Sequence, residues 1–504
     1  MSPREAELTK QLEEKEQQLA QANRKIELLQ QKIDLLVRRI FGSKGEKLDS
    51  AQLLLLLQGL DEPGKAPEPV AAEAPRRSKV NSPPRERSRP RLPEHLPVIE
   101  EVIEPEAVKA APEEWRRIGQ EVSEKLDYEP ARFLRRRIVR PKYVQRATID
   151  AVPVVAPLPP SLLEGSMVSA GLLAQVVVSK YCDHLPLYRQ QSIYWTRHQV
   201  WLPRQTLAEW VGLAADWLQP IYNEINKEVF ARGYVQVDET PIRYLAPGNG
   251  QTKLGYLWTC GAPRGDVVFH WQTSRAAYCL EKIIPVNFSG TLQCDGYEAY
   301  DCFAKGRNNI VLAGCMAHVR RKFFDARDQT PRVAGWLLGQ FGQLYEVEAQ
   351  LRQARAGPKL RQARRASASG PVLRRVYRAL VQFKKKNRFL PASLMGKAID
   401  YALTEWASLQ LFLEDGRLEI DNNLVENAIR PTALGKKNWL FIGEATAGQR
   451  SAIIYTVIES CRRRGIDPFA YLREVFTRLP TMTNWQVKDI TPEAWAKKDQ
   501  RRAA

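Results

Sequence analysis

Two short runs near the middle of the chain share one construction that limits how it can fold. Residues 234–238 (YVQVD) and 291–295 (TLQCD) each read as a strand that ends on a carboxylate. Side chains alternate along a strand, so Val235 and Val237 point to one face while Gln236 and Asp238 point to the other. Leu292 and Cys294 oppose Gln293 and Asp295 in the same way. Turn formers follow each acid: Glu239-Thr240-Pro241 after the first, Gly296 after the second. Each strand is therefore expected to deliver its Asp to its C-terminal end, where polar chemistry can reach it.

A third acid lies in a different setting. In the run DNNLVENAIR, Asp421, Asn422 or Asn423 can cap a helix, and Glu426 falls one turn inside it, with Arg430 four residues on along the same face. The three acids are 57 and 131 residues apart. Phosphodiester chemistry needs an activated oxygen nucleophile and a neutralised leaving oxygen. Two divalent cations held by a few carboxylates and the substrate phosphate supply both. The spacing alone does not select this reading. Asp238 is equally a strand-end turn former, Asp295-Gly296 a hairpin turn, and Glu426 a surface residue paired with Arg430. Glu239, Glu298, Asp301 and Asp421 compete locally for the same roles, and His318 reads as a helix-start or substrate-facing residue rather than a metal ligand.

Charge narrows the partner. The formal net charge of this 504-residue chain is +19, which points to a polyanion, nucleic acid first. No apolar run approaches the roughly 20 residues of a membrane span, and the polar N-terminus carries no secretory signal. The seven cysteines are scattered and none forms CxxC. Cytoplasmic localisation alongside the nucleoid, no membrane partner and core-packed thiols are the expectation.

Eight segments are expected. Residues 1–45 carry a heptad pattern, with Leu12, Leu19, Ile26, Ile33 and Ile40 at one core position; they read as a coiled coil that joins copies of the chain. Residues 46–93 are a Pro- and Arg-rich linker, partly disordered. Residues 94–150 form a small sheet module in which VIEEVIE and FLRRRIVRPKYVQRATI are strands, and Arg135, Arg136, Arg137, Arg140 and Lys142 offer a phosphate-contacting face. Residues 151–231 are helical. They read as a helix-turn-helix whose Arg204 and Gln205 meet bases, or equally as a plain helical subdomain with Trp195, Trp201, Trp210 and Trp217 in its core. Residues 232–330 and 415–460 make an α/β core, with a last strand at NWLFIG. A basic helical insertion, 331–414, separates them; within it residues 349–399 hold fourteen Lys or Arg and no acid, an arm suited to lie along DNA. Residues 461–504 form a helical tail.

The motifs VDET, CDGYEAY, AGCMAHVRRKF and DNNLVENAIRPTALGKKNWLF resemble the DDE transposases of the insertion sequence sixty-six family. KYCDHLPLYRQ, LPRQTLAEWV and RRIFGSKGEKLD are similar to the same family's helical and N-terminal regions. The resemblance implies a multidomain α+β protein with an RNase H-like α/β catalytic core. It implies catalytic, metal-holding Asp238, Asp295 and Glu426, with Mg2+ or Mn2+ as cofactor. It further implies release of a 3′ hydroxyl at the element end and direct attack of that hydroxyl on target DNA. DNA contacts are expected from Arg204, Gln205, Arg320, Arg321, Lys322, Arg430, Lys436 and Lys437. A homo-oligomer holding two element ends, with accessory proteins of the element, completes the expectation. The family usually carries the paired cysteines of a zinc-binding module where this chain has residues 112–117 and 144–148, which hold none. The module is accordingly expected to fold without zinc, or to fold poorly. Two other readings of the residues are a structure-specific nuclease of the same fold and a non-catalytic DNA-binding protein.

Overall fold

The computed structural model describes residues 92, 94–129, 132–145, 152–246, 248, 250–263 and 265–503. The expected coiled coil, and all of the expected linker except Leu92, lie outside them. What is described is a mixed α/β molecule with two mixed sheets.

The first sheet comprises β1 (Val98–Val102), β2 (Trp115–Glu129), β3 (Arg132–Gln145) and β4 (Val154–Val155). β2 and β3 form a long antiparallel hairpin; β1 runs parallel to β3, and β4 pairs with β3 at Lys142 and Tyr143. β2 was not expected as a strand, because its charge hides the alternation. Across the hairpin Glu124 binds Arg135 (2.8 Å) and Arg137 (2.7 Å), Asp127 binds Arg136 (3.0 Å), and Glu121 binds Arg140 (2.5 Å) and Lys142 (3.0 Å). The basic residues expected to face phosphate are thus paired within the sheet. Phe133, Leu134 and Leu126 are buried beneath them.

Three helices follow α1 (Glu106–Ala110): α2 (Ala170–Tyr181), capped by the Ser169 hydroxyl, α3 (Leu187–His198) and the 28-residue α4 (Arg204–Ala231). Gln199, in the left-handed region at φ 55°, ends α3. Trp210 is buried, Trp195 and Trp201 pack edge to face, and Trp217 donates to the Leu162 carbonyl at 2.9 Å. Arg204 and Gln205 are exposed in the first turn of α4.

The second sheet holds β5 (Tyr234–Leu245), β6 (Thr252–Gly261), β7 (Val267–Gln272), β8 (Gly290–Gln293) and β9 (Ile310–Ala313), in the order β7-β6-β5-β8-β9. β5–β7 are an antiparallel meander; β8 and β9 run parallel to β5. Legible from alternation were the strands read at 234–238 and 291–295, which correspond to β5 and β8. The reach of β5 was not: it continues past Glu239-Thr240-Pro241 to Leu245, paired throughout with β6. Pro241, which has no N–H to give, fits because β5 has lost its β8 neighbour by then and presents an edge.

Between and after these strands come α5 (Tyr278–Ile283), α6 (Glu298–Ala304) and α7 (Met316–Asp325). The insertion supplies α8 (Pro331–Gln353), α9 (Pro358–Arg364), α10 (Gly370–Lys385), α11 (Leu394–Thr404) and α12 (Trp406–Glu414) around a separate buried cluster that includes Phe341, Val376, Leu380 and Ala402. It is helical as expected, but its arginines are not all free. Arg365, fully buried, reaches Glu348 at 2.6 Å, and Arg361 bridges Glu348 (3.2 Å) and Glu419 (2.8 Å). The window without acids is neutralised in part by acids outside it.

α13 (Asn423–Trp439) corrects another expectation: NWLFIG is no strand. Val425, Ala428, Ile429, Thr432 and Gly435 are its buried positions, a helical period that carries the helix through Trp439. Leu440 then turns at φ 66°, and Ile442 touches β5 by a single bridge to Tyr244. α14 (Ala445–Arg463) covers β7, where Thr456 Oγ1 accepts from the Phe269 N–H at 2.8 Å and Ser460 donates to the Val267 carbonyl at 3.3 Å. α15 (Pro468–Arg478) and α16 (Pro492–Ala503) complete the tail. Residues from both sheets, α2, α4, α14 and α15 share one apolar core.

Candidate active site

Register places the first two acids. β5 and β8 are adjacent and parallel, with Tyr234 opposite Thr291 and Gln236 opposite Gln293. Asp238 lies two residues further along β5, and Asp295 two residues beyond the last residue of β8. The Thr291 N–H donates to the Gly233 carbonyl at 2.9 Å, and a side chain on Gly290 (φ 147°) would run into that carbonyl. A glycine thus permits the close approach that sets the register.

A buried polar network beneath the acids brings in the third. Tyr234 donates from its hydroxyl to Gln293 Oε1 (2.6 Å), which also accepts from Gln236 Nε2 (2.9 Å). Gln236 Nε2 reaches the Asp421 carbonyl (2.8 Å), and Gln293 Nε2 the carbonyls of Glu419 (2.9 Å) and Gly314 (3.0 Å). The Met316 N–H binds the Ile420 carbonyl at 3.1 Å. Residues 419–422, the lead-in to α13, are thereby pinned to both strands and to the start of α7. Glu426, one turn into α13, lies over the strand ends. Its Oε1 is 3.7 Å from His318 Nδ1 and its Oε2 is 3.8 Å from Arg321. These, rather than Arg430, are its side-chain neighbours.

The electrostatics agree with convergence. Burial, then the charges of Glu239, Glu426 and Asp295, push the Asp238 carboxyl up to about 8. Its one hydrogen bond is from the Glu239 N–H (2.9 Å), and Asp295 accepts from the Tyr297 N–H (3.2 Å). Among the described residues, no Lys or Arg is paired with either acid. Thr259 Oγ1, directly across from Asp238 on β6, both amide atoms of Asn422, His318 Nδ1 and Glu426 Oε1 are buried without a partner. Asp238 and Asp295 are oxygen donors of the kind a hard divalent cation takes. Among the described residues, however, the acid and ligand groups within 4.8 Å of one another are Cys315, His318 and Glu426, and Glu228, Asp266 and Glu493, so the three acids do not close on one coordination point.

The competitors are accounted for. Glu239 points to the opposite face, where it is ion-paired with Arg275 (2.5 Å) and accepts from the Tyr300 hydroxyl (2.7 Å). Asp421 accepts from Tyr345 (2.8 Å) and from Asn423. Glu298 and Asp301 are exposed on α6. α11 of the insertion closes one side: the Tyr401 hydroxyl oxygen accepts the Gly296 N–H at 3.1 Å, and a side chain on Gly296 would strike Tyr401 and Glu405. Of the expected DNA contacts, Arg320, Arg321 and Lys322 are exposed on α7, and Arg430 and Lys437 on α13. Lys322 Nζ sits 4.3 Å over the Tyr401 ring. Lys436 is turned inward to the Pro241 carbonyl (3.1 Å) and Thr240 (3.4 Å), serving the open edge of β5. Arg204 and Gln205 line a separate cleft of about 800 Å3 with Lys180, Trp439, Phe441 and Arg450. Sequence reasoning missed Gln236, Gln293 and Thr259. The signal was present, since a glutamine stands two residues before each Asp.

The described residues form a mixed α/β molecule, and comparison with known proteins gives its family. Residues 165–450 match the transposase IS66 family, residues 456–492 the IS66 C-terminal element, and residues 28–100 the transposase C of IS166 homeodomain. The chain belongs to the IS66 transposase family and is a DDE-type transposase, an activity that requires DNA binding. It is 34% identical to the uncharacterized protein y4jD of Sinorhizobium fredii, over 96% of this chain and 97% of that one. It is also 34% identical to y4qI of the same organism, over 93% and 88%. No helix among the described residues is long and apolar enough to cross a membrane.

Proposed function

We propose that Asp238, Asp295 and Glu426 are the catalytic carboxylates, that they hold Mg2+ or Mn2+, and that they cut and join the ends of an insertion sequence. The observation that carries this is the β5–β8 register together with the Gln236–Gln293 network, which sets two acids side by side and brings up the third. The strand order, an antiparallel meander extended by two parallel strands, supports an RNase H-like core. When bound, the cations supply an activated oxygen nucleophile and neutralise the leaving oxygen.

The chain's own residues do the rest. Asp238 and Asp295 are fixed by rigid strands, and Glu426 by a helix tied to both. In the first step water attacks the phosphate at the element end and the 3′ oxygen leaves with a proton. In the second, that 3′ hydroxyl attacks a target phosphate and the target's own 3′ oxygen leaves. Arg320, Arg321, Lys322, Arg430 and Lys437 surround the acids as phosphate contacts, and Arg204 and Gln205 meet the DNA further out. Residues 1–45 join copies so that two ends are held together, with accessory proteins of the element where it supplies them.

The test uses DNA from either side of the coding region as substrate. Asp238→Asn, Asp295→Asn and Glu426→Gln should each lower cleavage and strand transfer about 10³-fold or more, the loss of several kcal/mol of charge stabilisation. Retained strand transfer in all three variants would sink the assignment.

A further inference from the structure

Cys315, His318 and Glu426 meet on one side of the acid cluster. Cys315 is the residue just before α7, and His318 follows one turn later on the same face. One ligand atom from each of the three lies within 4.8 Å of the others. His318 Nδ1 and Glu426 Oε1 face each other at 3.7 Å, both buried and both without a hydrogen-bond partner. Cys315 Sγ is buried beside them and accepts the Asn422 N–H at 3.4 Å. Two buried lone-pair atoms without partners, facing each other beside a sulfur, are the ligand types that metal coordination uses.

We propose that Cys315, His318 and Glu426 form a binding site for a borderline-soft divalent cation of the zinc class. Zinc takes sulfur at about 2.3 Å and nitrogen or oxygen at about 2.0–2.2 Å in tetrahedral array, so its ligand atoms stand about 3.4–3.6 Å apart. The His318–Glu426 separation needs to close by a few tenths of an ångström, and the widest separation by about 1 Å. Three protein ligands leave the fourth position to water. Magnesium, which demands oxygen, has no use for the thiolate or the imidazole. Binding exchanges the thiol proton, released to solvent, for a metal–sulfur bond, so affinity rises with pH.

The functional consequence rests on the assignment of Glu426 above. A carboxylate held by zinc on the His318 side is withdrawn from Asp238 and Asp295, so zinc inhibits the magnesium-dependent reaction. The site is then a point at which metal supply can hold the enzyme silent.

Cobalt(II) titration of the full-length protein is the direct test. One equivalent should produce a thiolate-to-cobalt charge-transfer band and tetrahedral visible bands, and zinc should displace them. Cys315→Ser should abolish the charge-transfer band, His318→Ala should weaken cobalt binding about tenfold or more, and Cys302→Ser, which removes an exposed thiol elsewhere, should leave the spectrum unchanged. Cys315→Ala with unaltered thermal unfolding guards against misfolding. No charge-transfer band, or one that survives in both Cys315 variants, overturns the site. The zinc concentration that halves DNA cleavage, scored for each variant against its own zinc-free rate, should rise about tenfold or more in Cys315→Ser. Zinc that binds as described yet leaves cleavage unaffected would uphold the site and refute the role given to Glu426.

Discussion

Two places in this molecule gather acids from distant segments, and they treat them in opposite ways. In the insertion, Glu348 from α8 and Glu419 from the lead-in to α13 meet Arg361 and Arg365, and the carboxylate oxygens are taken up at 2.6–3.2 Å. Among the described residues, Asp238 inside β5, Asp295 just past β8 and Glu426 have no arginine or lysine bound closer than the 3.8 Å of Arg321 to Glu426. The first cluster is closed: its arginines hold Glu348 below the ordinary carboxylate range in spite of burial. The second is open, and burial with mutual repulsion pushes Asp238 upward. Acids that a fold needs for itself are neutralised by the fold. Acids left in deficit are neutralised by something the fold binds. The same contrast is repeated across one peptide bond, where Glu239 is paired with Arg275 and Asp238 is not.

Three perturbations separate the two clusters. The largest stability effect should come from Arg365→Ala. Removing one partner of a buried pair strands the charge of Glu348, at a cost of about 3–5 kcal/mol. The urea midpoint of the variant should fall accordingly, and an unchanged midpoint would mean that the closed cluster is not what holds the insertion. Gln293→Ala is expected to cost less, about 1–3 kcal/mol, by leaving the Tyr234 hydroxyl and the Gly314 and Glu419 carbonyls unpaired. Its sharper signature is kinetic: residues 419–422 lose an anchor, Glu426 drifts, and cleavage falls about tenfold or more. If melting temperature drops while cleavage is untouched, the network is structural only.

The smallest effect is a pH dependence confined to the open cluster. An Asp whose carboxyl stands near 8 in the folded chain, against about 3.9 unfolded, keeps its proton on folding. Its contribution to stability is present below about pH 4 and is lost as pH rises toward 8. Added Mg2+ should therefore raise the melting temperature more at about pH 8.5 than at about pH 6, because at the lower pH a proton occupies the ligand. Asp238→Asn should flatten both the pH slope and its metal dependence. A magnesium shift that is equal at both pH values would place the cation away from Asp238.

Much of the catalytic region was legible from pattern. Strands at 234–238 and 291–295 and a helical insertion were legible; of the acids, Asp295 follows a strand as read, whereas Asp238 lies inside β5 and α13 carries no side-chain cap at Asn422. Where reading failed, long-range partners decided. NWLFIG has strand-like composition, but Thr432, Gly435 and Trp439 continue the buried stripe of α13. β2 went unread as a strand; Glu121, Glu124 and Asp127 pair with basic residues of β3. Arg361 and Arg365 looked like part of a free basic arm because their acids lie outside the window that contains them.

The order of residues by itself marked the strands at 234–238 and 291–295 and the helical insertion, because period and turn chemistry act over a few residues; it missed β2 and made a strand of NWLFIG. It also placed the chain in its family. Only the tertiary structure decided which of several acids is left unpaired. That depends on the β5–β8 register and on the glutamine network that pins α13 over it. Charge neutralisation is a contact property, set by groups that a fold brings within 4 Å and a sequence keeps a hundred residues apart.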